Sequence, residues 1–288
     1  MAGNRKYNPS GYYTDENGNE RFYNNETDNY WQDQYQLHWN ERISSNWSSN
    51  VALFYTKGRG YYENYRDDAE LPAYGISPLI VDGAPVTTSD VVTQKWLDNN
   101  FYGTTFSLNY KDEKLNATLG GGLNKYEGDH YGEAIWAQYS QAVRPGDRYY
   151  DNNASKTDFN VFAKTTYALG NNFSLFGDLQ YRRVHYKADN VTENNTDVVP
   201  ADDTFNFVNP KAGLTYAVNN DNSIYFSYGR ANKEPRRADY ESGSTKPESM
   251  NDFELGWRYK KGRSSVNANV YYMRYKDQLV PVSYTHLR

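Results

Sequence analysis

The run Tyr102-Gly103-Thr104-Thr105-Phe106-Ser107-Leu108-Asn109-Tyr110 leads through Lys111-Asp112-Glu113-Lys114 into Leu115-Asn116-Ala117-Thr118-Leu119-Gly120-Gly121-Gly122-Leu123. Tyr102, Phe106, Leu108 and Tyr110 fall on one side of a period-two repeat, and Thr105, Ser107 and Asn109 on the other. A strand sends successive side chains to opposite faces, so the pattern predicts antiparallel strands joined by a short polar turn.

The same unit recurs along the chain. Residues 31–39 and 47–56 flank a turn near 41–46, 159–169 and 173–181 flank 170–172, 212–217 and 224–228 flank 218–222, and 253–259 and 266–272 flank 260–263. Between these hairpins lie long polar connections, roughly 60–94, 127–154, 187–204 and 231–249. Short and long connections alternate strictly. All short turns therefore fall at one end of an antiparallel meander and all long loops at the other, as in bacterial outer-membrane barrels.

One expected face carries Val51, Leu53, Phe106, Leu108, Leu119, Leu123, Val161, Leu175, Leu179, Leu214, Phe226, Leu255 and Val270. The opposite face carries residues such as Asn50, Thr105, Asn160, Lys164, Asp178, Lys211, Glu254, Arg258 and Asn269. A soluble sandwich also alternates. Aromatic placement separates the two. Trp39, Trp47, Tyr110, Tyr167, Phe173, Tyr216, Trp257 and Tyr259 sit beside the short turns. Trp96, Phe101, Tyr126, Tyr181, Tyr186, Tyr228, Tyr271, Tyr272 and Tyr275 sit at the other strand ends. Paired aromatic rows match the girdles at the two membrane interfaces. The expected fold is all-β, a partial antiparallel up-and-down transmembrane β-barrel of about ten strands.

Composition agrees. Apolar residues make up only 38% of the 288 and mean hydropathy is -0.98, yet aromatics reach 17% with 30 Tyr. A disordered chain is poor in aromatics. No apolar run is long enough for a transmembrane helix, whereas a spanning strand needs only about 9–11 residues. No apolar h-region follows Met1 to Lys6, so no signal peptide is visible. The absence of cysteine excludes disulfides and thiolate metal sites. A net charge of -5 without a basic face argues against a nucleic-acid partner.

Several stretches resemble the barrel of Bacteroidetes-type TonB-dependent receptors. Thr27-Asp28-Asn29-Tyr30-Trp31-Gln32-Asp33-Gln34-Tyr35-Gln36-Leu37 is similar to a mid-barrel strand of that group, and Tyr55-Thr56-Lys57-Gly58-Arg59-Gly60-Tyr61-Tyr62-Glu63 to a strand entering an external loop. Later, Asn209-Pro210-Lys211-Ala212-Gly213-Leu214-Thr215-Tyr216 precedes Tyr225-Phe226-Ser227-Tyr228-Gly229-Arg230. Lys246-Pro247-Glu248, Glu254-Leu255-Gly256 and the segment 271–279 follow in the family's order. The resemblance runs from about Asn4 to Val282. It implies an outer-membrane receptor that imports a bulky scarce nutrient, such as a ferric siderophore, with energy relayed by TonB. It implies outer-membrane lipid and lipopolysaccharide as surroundings, no resident cofactor and no enzymatic activity. The family's plug domain, TonB-contacting box and signal peptide have no counterpart here, so contact with TonB belongs to an N-terminal region outside this sequence. Such barrels close with about 22 strands. The barrel portion is expected over 1–282. The end Ser283-Tyr284-Thr285-His286-Leu287-Arg288 resembles the non-native tails of truncated assemblies, so the reading frame is expected to be broken at both ends.

Candidate contact residues come from the long connections. Arg236 and Arg237, beside Tyr240, suit an anionic ligand, the acidic lipopolysaccharide surface or acidic neighbours in their own loop. Tyr61, Tyr62, Trp136, Tyr149 and Tyr150 are loop aromatics that suit either a substrate at the mouth or packing among the loops. Asp67, Asp68 and Glu70 read as a solvated loop or a Ca²⁺ site. His38, His130, His185 and His286 are scattered without zinc-site spacing. Gly120-Gly121-Gly122 lacks the Lys of a phosphate loop. No catalytic or metal residue is assigned. Two other readings remain: a self-contained ten-stranded barrel enzyme, which needs an acid and base gathered at the rim, and a soluble glycan-binding sandwich.

Overall fold

The computed structural model describes residues 12–15, 17–139, 147–192 and 198–278. Short hairpin strands β1 (Tyr12–Thr14) and β2 (Glu20–Phe22) precede the long strands β3 (Asp28–Arg42) and β4 (Trp47–Glu70). A 3-10 turn at Leu71–Tyr74 and a small hairpin of β5 (Leu79–Val81) and β6 (Ala84–Val86) follow. Then come β7 (Thr88–Lys111), β8 (Leu115–Ala137), β9 (Arg148–Gly170), β10 (Phe173–Ala188), β11 (Ala201–Asn219) and β12 (Asn222–Lys233). The helix α1 (Arg237–Glu241), β13 (Glu248–Lys261) and β14 (Ser264–Lys276) complete the order. The expected barrel extent thus falls mostly within the described residues, whereas the tail 283–288 lies outside them.

Strands β14-β13-β12-β11-β10-β9-β8-β7-β4-β3 form one 10-stranded antiparallel sheet in chain order. It is an up-and-down meander whose edges, β3 and β14, do not pair with each other. The turn between β9 and β10 holds Asn171 and Asn172 at φ 48 and 69, the left-handed conformation that Asn tolerates and tight hairpins require.

The alternation of short and long connections stands, but the strands reach much further than the apolar repeat suggests. β4 continues to Glu70, β7 begins at Thr88, β8 continues to Ala137 and β9 begins at Arg148. Most of the stretches expected as loops at 60–94 and 127–154 are therefore strand. Beyond the apolar band neither face meets lipid. The hydrogen-bond ladder continues there while the apolar signal fades.

The register joins every residue of the expected apolar face into one surface. Val51 pairs with Phe106, Leu108 with Leu119, Leu123 with Phe159, and Leu175 with Leu214. Leu214 in turn opposes Phe226, which opposes Leu255, which opposes Val270. The other face is concave: Phe207 and Asn209 are 5% and 7% exposed, whereas Val208 between them is 54% exposed.

Aromatic pairs mark both borders of the convex apolar band. Trp47 meets Tyr110 at 4.9 Å and Phe173 meets Tyr216 at 4.6 Å near the short turns. Tyr35 stacks on Tyr55 at 6.2 Å and Tyr228 packs on Phe253 at 5.0 Å at the other border. From Trp47 to Tyr55 on β4 is the length that a tilted strand needs to cross hydrocarbon, about 9–11 residues. The far row needs correction. Phe101 pairs with Tyr126, Tyr126 with Lys156 and Lys156 with Tyr186, all on the concave face. Tyr271 likewise opposes Glu254, and Tyr275 opposes Met250, on that face. These aromatics line the lumen and do not join the girdle. The cause is parity, since one step along a strand reverses the face.

Buried apolar side chains gather at the long-loop end. Leu71, Ile76, Val91 and Ala134 form one cluster, and Ala188, Val191, Ala201 and Tyr240 another. The barrel wall shows its apolar side to lipid and packs its interior only where loops fold inward. A charge on the convex face is therefore costly. Val51→Arg, midway between Trp47 and Tyr55, should lower unfolding stability in lipid by about 2–4 kcal/mol in urea titration. Asn50→Arg, on the concave face, should change it by no more than about 0.5 kcal/mol. Equal losses would mean that the lipid-facing side is wrongly assigned.

Candidate functional site

Successive rows of the concave face build a trough near the long-loop end. One row crosses the sheet as Tyr126, Lys156, Tyr186 and Asp203. The row above it is small: Gly58, Asn99, Gly128, Ala154, Ala188 and Ala201. The next contains Leu97, His130 and Asn152. The small residues leave space that neighbouring rings enter. A Cβ on Gly58 would strike the Tyr30 hydroxyl, and one on Gly128 would strike the Tyr126 ring. The Tyr30 hydroxyl donates to Asn99 Oδ1 at 3.1 Å.

Two clefts open along this trough. A cleft of about 230 Å³ is lined by Tyr126, His130, Asn152, Lys156, Tyr186 and Arg237. A larger one, about 450 Å³, is lined by residues including Tyr30, Tyr62, Lys95, His130, Tyr150 and Arg237. His130 and Arg237 border both. The lining combines phenol rings with cationic side chains, a donor set for flat or anionic molecules.

The 234–247 loop folds inward over the trough and is held by charge. Glu234, 8% exposed, accepts a fork of hydrogen bonds from Arg182, Nη1 to Oε2 at 2.8 Å and Nη2 to Oε1 at 3.0 Å. Lys156 Nζ also donates to Glu234 Oε1. Arg182 is shared with Asp158, at 2.9 Å from Nε and 2.5 Å from Nη2. Burial alone would raise the Glu234 carboxyl, but the hydrogen bonds from Lys156 and Arg182 outweigh it and hold it at about 2. Further along the loop, the Tyr240 hydroxyl donates to Asp203 Oδ2 at 2.8 Å and its ring packs on Tyr186 at 5.5 Å. Burial, then the Asp203 carboxylate, pushes the Tyr240 phenol above its ordinary range.

The residues singled out from sequence divide. Tyr61, Tyr62, Tyr150 and Arg237 all border the larger cleft. Tyr61 also packs on Trp96 at 4.5 Å. Arg237 donates to the Val191 carbonyl at 2.5 Å and pairs with Glu241 at 3.3 Å. The other four stand apart. Trp136 lines a separate cleft with Tyr65 and Tyr139. Tyr149 packs between Tyr74 and Tyr150. Arg236 caps α1 through its backbone N–H, which donates to Asp239 at 2.7 Å. Tyr240 is buried and anchors the loop.

Asp67, Asp68 and Glu70, expected in a loop, lie at the end of β4, where Asp68 sits at φ 46 in a bulge and its N–H donates to Asp90 at 3.0 Å. Among the described residues no group of three or more His, Cys, Asp or Glu is placed to hold a metal ion.

Sequence reasoning missed Lys156, Arg182, His130, Tyr186 and Glu234. The usable signal was parity, because Lys156 and Arg182 continue the polar repeat of β9 and β10. The charge network makes the loop acid-sensitive. A carboxyl lowered from 4.5 to about 2 stabilises docking fully above pH 4.5 and loses that contribution as pH falls through 2. Protease cleavage within 234–247 should therefore rise as pH drops across this window. Glu234→Gln should cleave readily at neutral pH and show a flattened acid response.

The description "TonB dependent receptor-like, beta-barrel" belongs to the family whose profile matches residues 2–286. The ferric-pyoverdine 358 receptor of Pseudomonas putida is 26% identical over 222 residues, which is 70% of this chain and 26% of that protein. The open form of the ferric-catecholate import receptor Fiu from E. coli K12 superposes with a TM-score of 0.62 at 14% identity, covering 88% of this chain and 42% of the other. The copper transporter OprC gives a TM-score of 0.62 at 15% identity, covering 86% and 39%. This chain therefore spans less than half the length of each of these relatives. These structural likenesses carry the fold, the family match carries the membership, and barrels of this family lie in the outer membrane of Gram-negative bacteria. With a matching profile over nearly its whole length and the sheet of a TonB-dependent receptor, the chain belongs to the TonB-dependent receptor-like β-barrel family.

Proposed function

We propose that this chain is barrel wall of an outer-membrane receptor that captures a ferric chelate outside the cell and passes it inward with energy from TonB. The observation that carries this reading is the trough of tyrosines and cations on the concave face, roofed by the 234–247 loop. Ferric chelates present planar aromatic donors or carboxylates around the metal. Rings such as Tyr30, Tyr62, Tyr126 and Tyr186 offer stacking surfaces, and Lys95, Lys156 and Arg237 offer positive charge. The ferric-siderophore receptors among the relatives give the same direction. Lipid and lipopolysaccharide surround the convex face, and TonB acts from the periplasmic side.

The test is uptake of radiolabelled iron by a host lacking its own siderophore receptors and expressing the receptor that carries this chain. Chelates of the catecholate, hydroxamate and carboxylate classes are supplied in turn. Energy-dependent uptake of at least one class, abolished when TonB is deleted, is expected. Uptake of none, with the receptor present in the outer membrane, refutes the reading.

A further inference from the structure

We infer that Lys156 and Arg182 form a carboxylate-binding subsite which Glu234 fills from within the chain. A ligand carboxylate takes that place by displacing Glu234, and so frees the loop. The inference rests on the receptor reading above and adds to it a preference for carboxylate-bearing chelates.

The geometry is that of a carboxylate recognised by a charged fork. Arg182 grips both oxygens of Glu234 at 2.8 and 3.0 Å, and Lys156 adds a third donor to Oε1. Bidentate guanidinium pairing with an added ammonium is a strong, orientation-specific way to hold a carboxylate. The carboxylate that occupies it sits on a connection, one residue past the end of β12, while both cations sit on the rigid wall in β9 and β10. The two partners therefore belong to elements that can separate without breaking the sheet.

The subsite adjoins an open cleft. Lys156 lines the cleft of about 230 Å³ beside Tyr126, Tyr186, His130 and Arg237. A ligand resting there brings its own carboxylate to the ammonium that Glu234 uses. Charge favours the exchange. Lys156, Arg182, Asp158 and Glu234 together are neutral, so withdrawal of Glu234 leaves one uncompensated positive charge. An incoming carboxylate restores neutrality, whereas a neutral chelate does not. Anions compete with Glu234, and the 234–247 loop reports the outcome.

The test compares ferric citrate, which carries carboxylates, with a neutral ferric trihydroxamate, using the intact receptor in outer-membrane vesicles. Glu234→Gln should tighten ferric citrate binding about tenfold or more at low salt, the scale of a charge-assisted contact. Affinity for the trihydroxamate should stay within about twofold. Adding Arg182→Gln should abolish the gain. In the unmodified receptor, saturating ferric citrate should expose the 234–247 loop to protease, and the trihydroxamate should not. This second measurement does not depend on how well the variants fold. Unchanged ferric citrate affinity in Glu234→Gln, equal tightening of both chelates, or a loop equally protected with and without ferric citrate overturns the inference. Normal uptake of the trihydroxamate alongside any of these results leaves the receptor reading standing. Failure to take up any chelate removes that reading separately.

Discussion

Inside hydrocarbon a backbone N–H or C=O has no water to bond, and each unpaired group costs several kcal/mol. The antiparallel ladder of this chain answers that constraint, and most other features follow from it. Ten strands pair in chain order, each satisfying its neighbour. The pleat then gives the wall a lipid side and a lumen side. Leu53, Phe226 and Leu255 face one, and Asn50, Lys164 and Glu254 the other. Among the described residues the outer edges of β3 and β14 have no neighbouring strand in this sheet.

The same ladder explains where function can reside. A wall one strand thick has no interior in which to bury a site, so chemistry is confined to the lumen face and to loops that fold over it. Both buried apolar clusters lie at the long-loop end, around Leu71 and around Tyr240. The second brings the 234–247 loop against β10 and β11 and places Glu234 between Lys156 and Arg182. Packing and charge thus act together: Tyr240 sets the position of the loop, and the ion network makes that position dependent on charge.

The repeat of Tyr102–Leu123 was enough to predict the hairpin, the faces and the meander, because lipid on one side and a polar lumen on the other enforce period two. It did not predict that β4 runs to Glu70 or that β8 runs to Ala137. Past the membrane border both sides of a strand are polar, and a polar strand reads like a loop. That one limitation explains the misplaced aromatics. Phe101, Tyr126 and Tyr186 sit at the right height for a girdle but on the lumen face, and only the register distinguishes the two. It also explains why Lys156 was not recognised, since it lies just past a stretch read as loop.

Family membership and strand order are properties of local pattern, and the sequence by itself determined them. Tyr61, Tyr62, Tyr150 and Arg237, separated by up to 176 positions (237 minus 61), were legible as residues with suitable chemistry, but the first three lie in β4 and β9 and not in the loops expected for them. That they share one cleft, while Arg236, Trp136, Tyr149 and Tyr240 take other roles, was decided only by the tertiary structure. The pairing of Glu234 with Lys156 and Arg182 spans 78 and 52 positions. No local pattern encodes it. It depends on the register of three strands and on the angle at which one loop returns to the wall, and both are set by long-range pairing and packing.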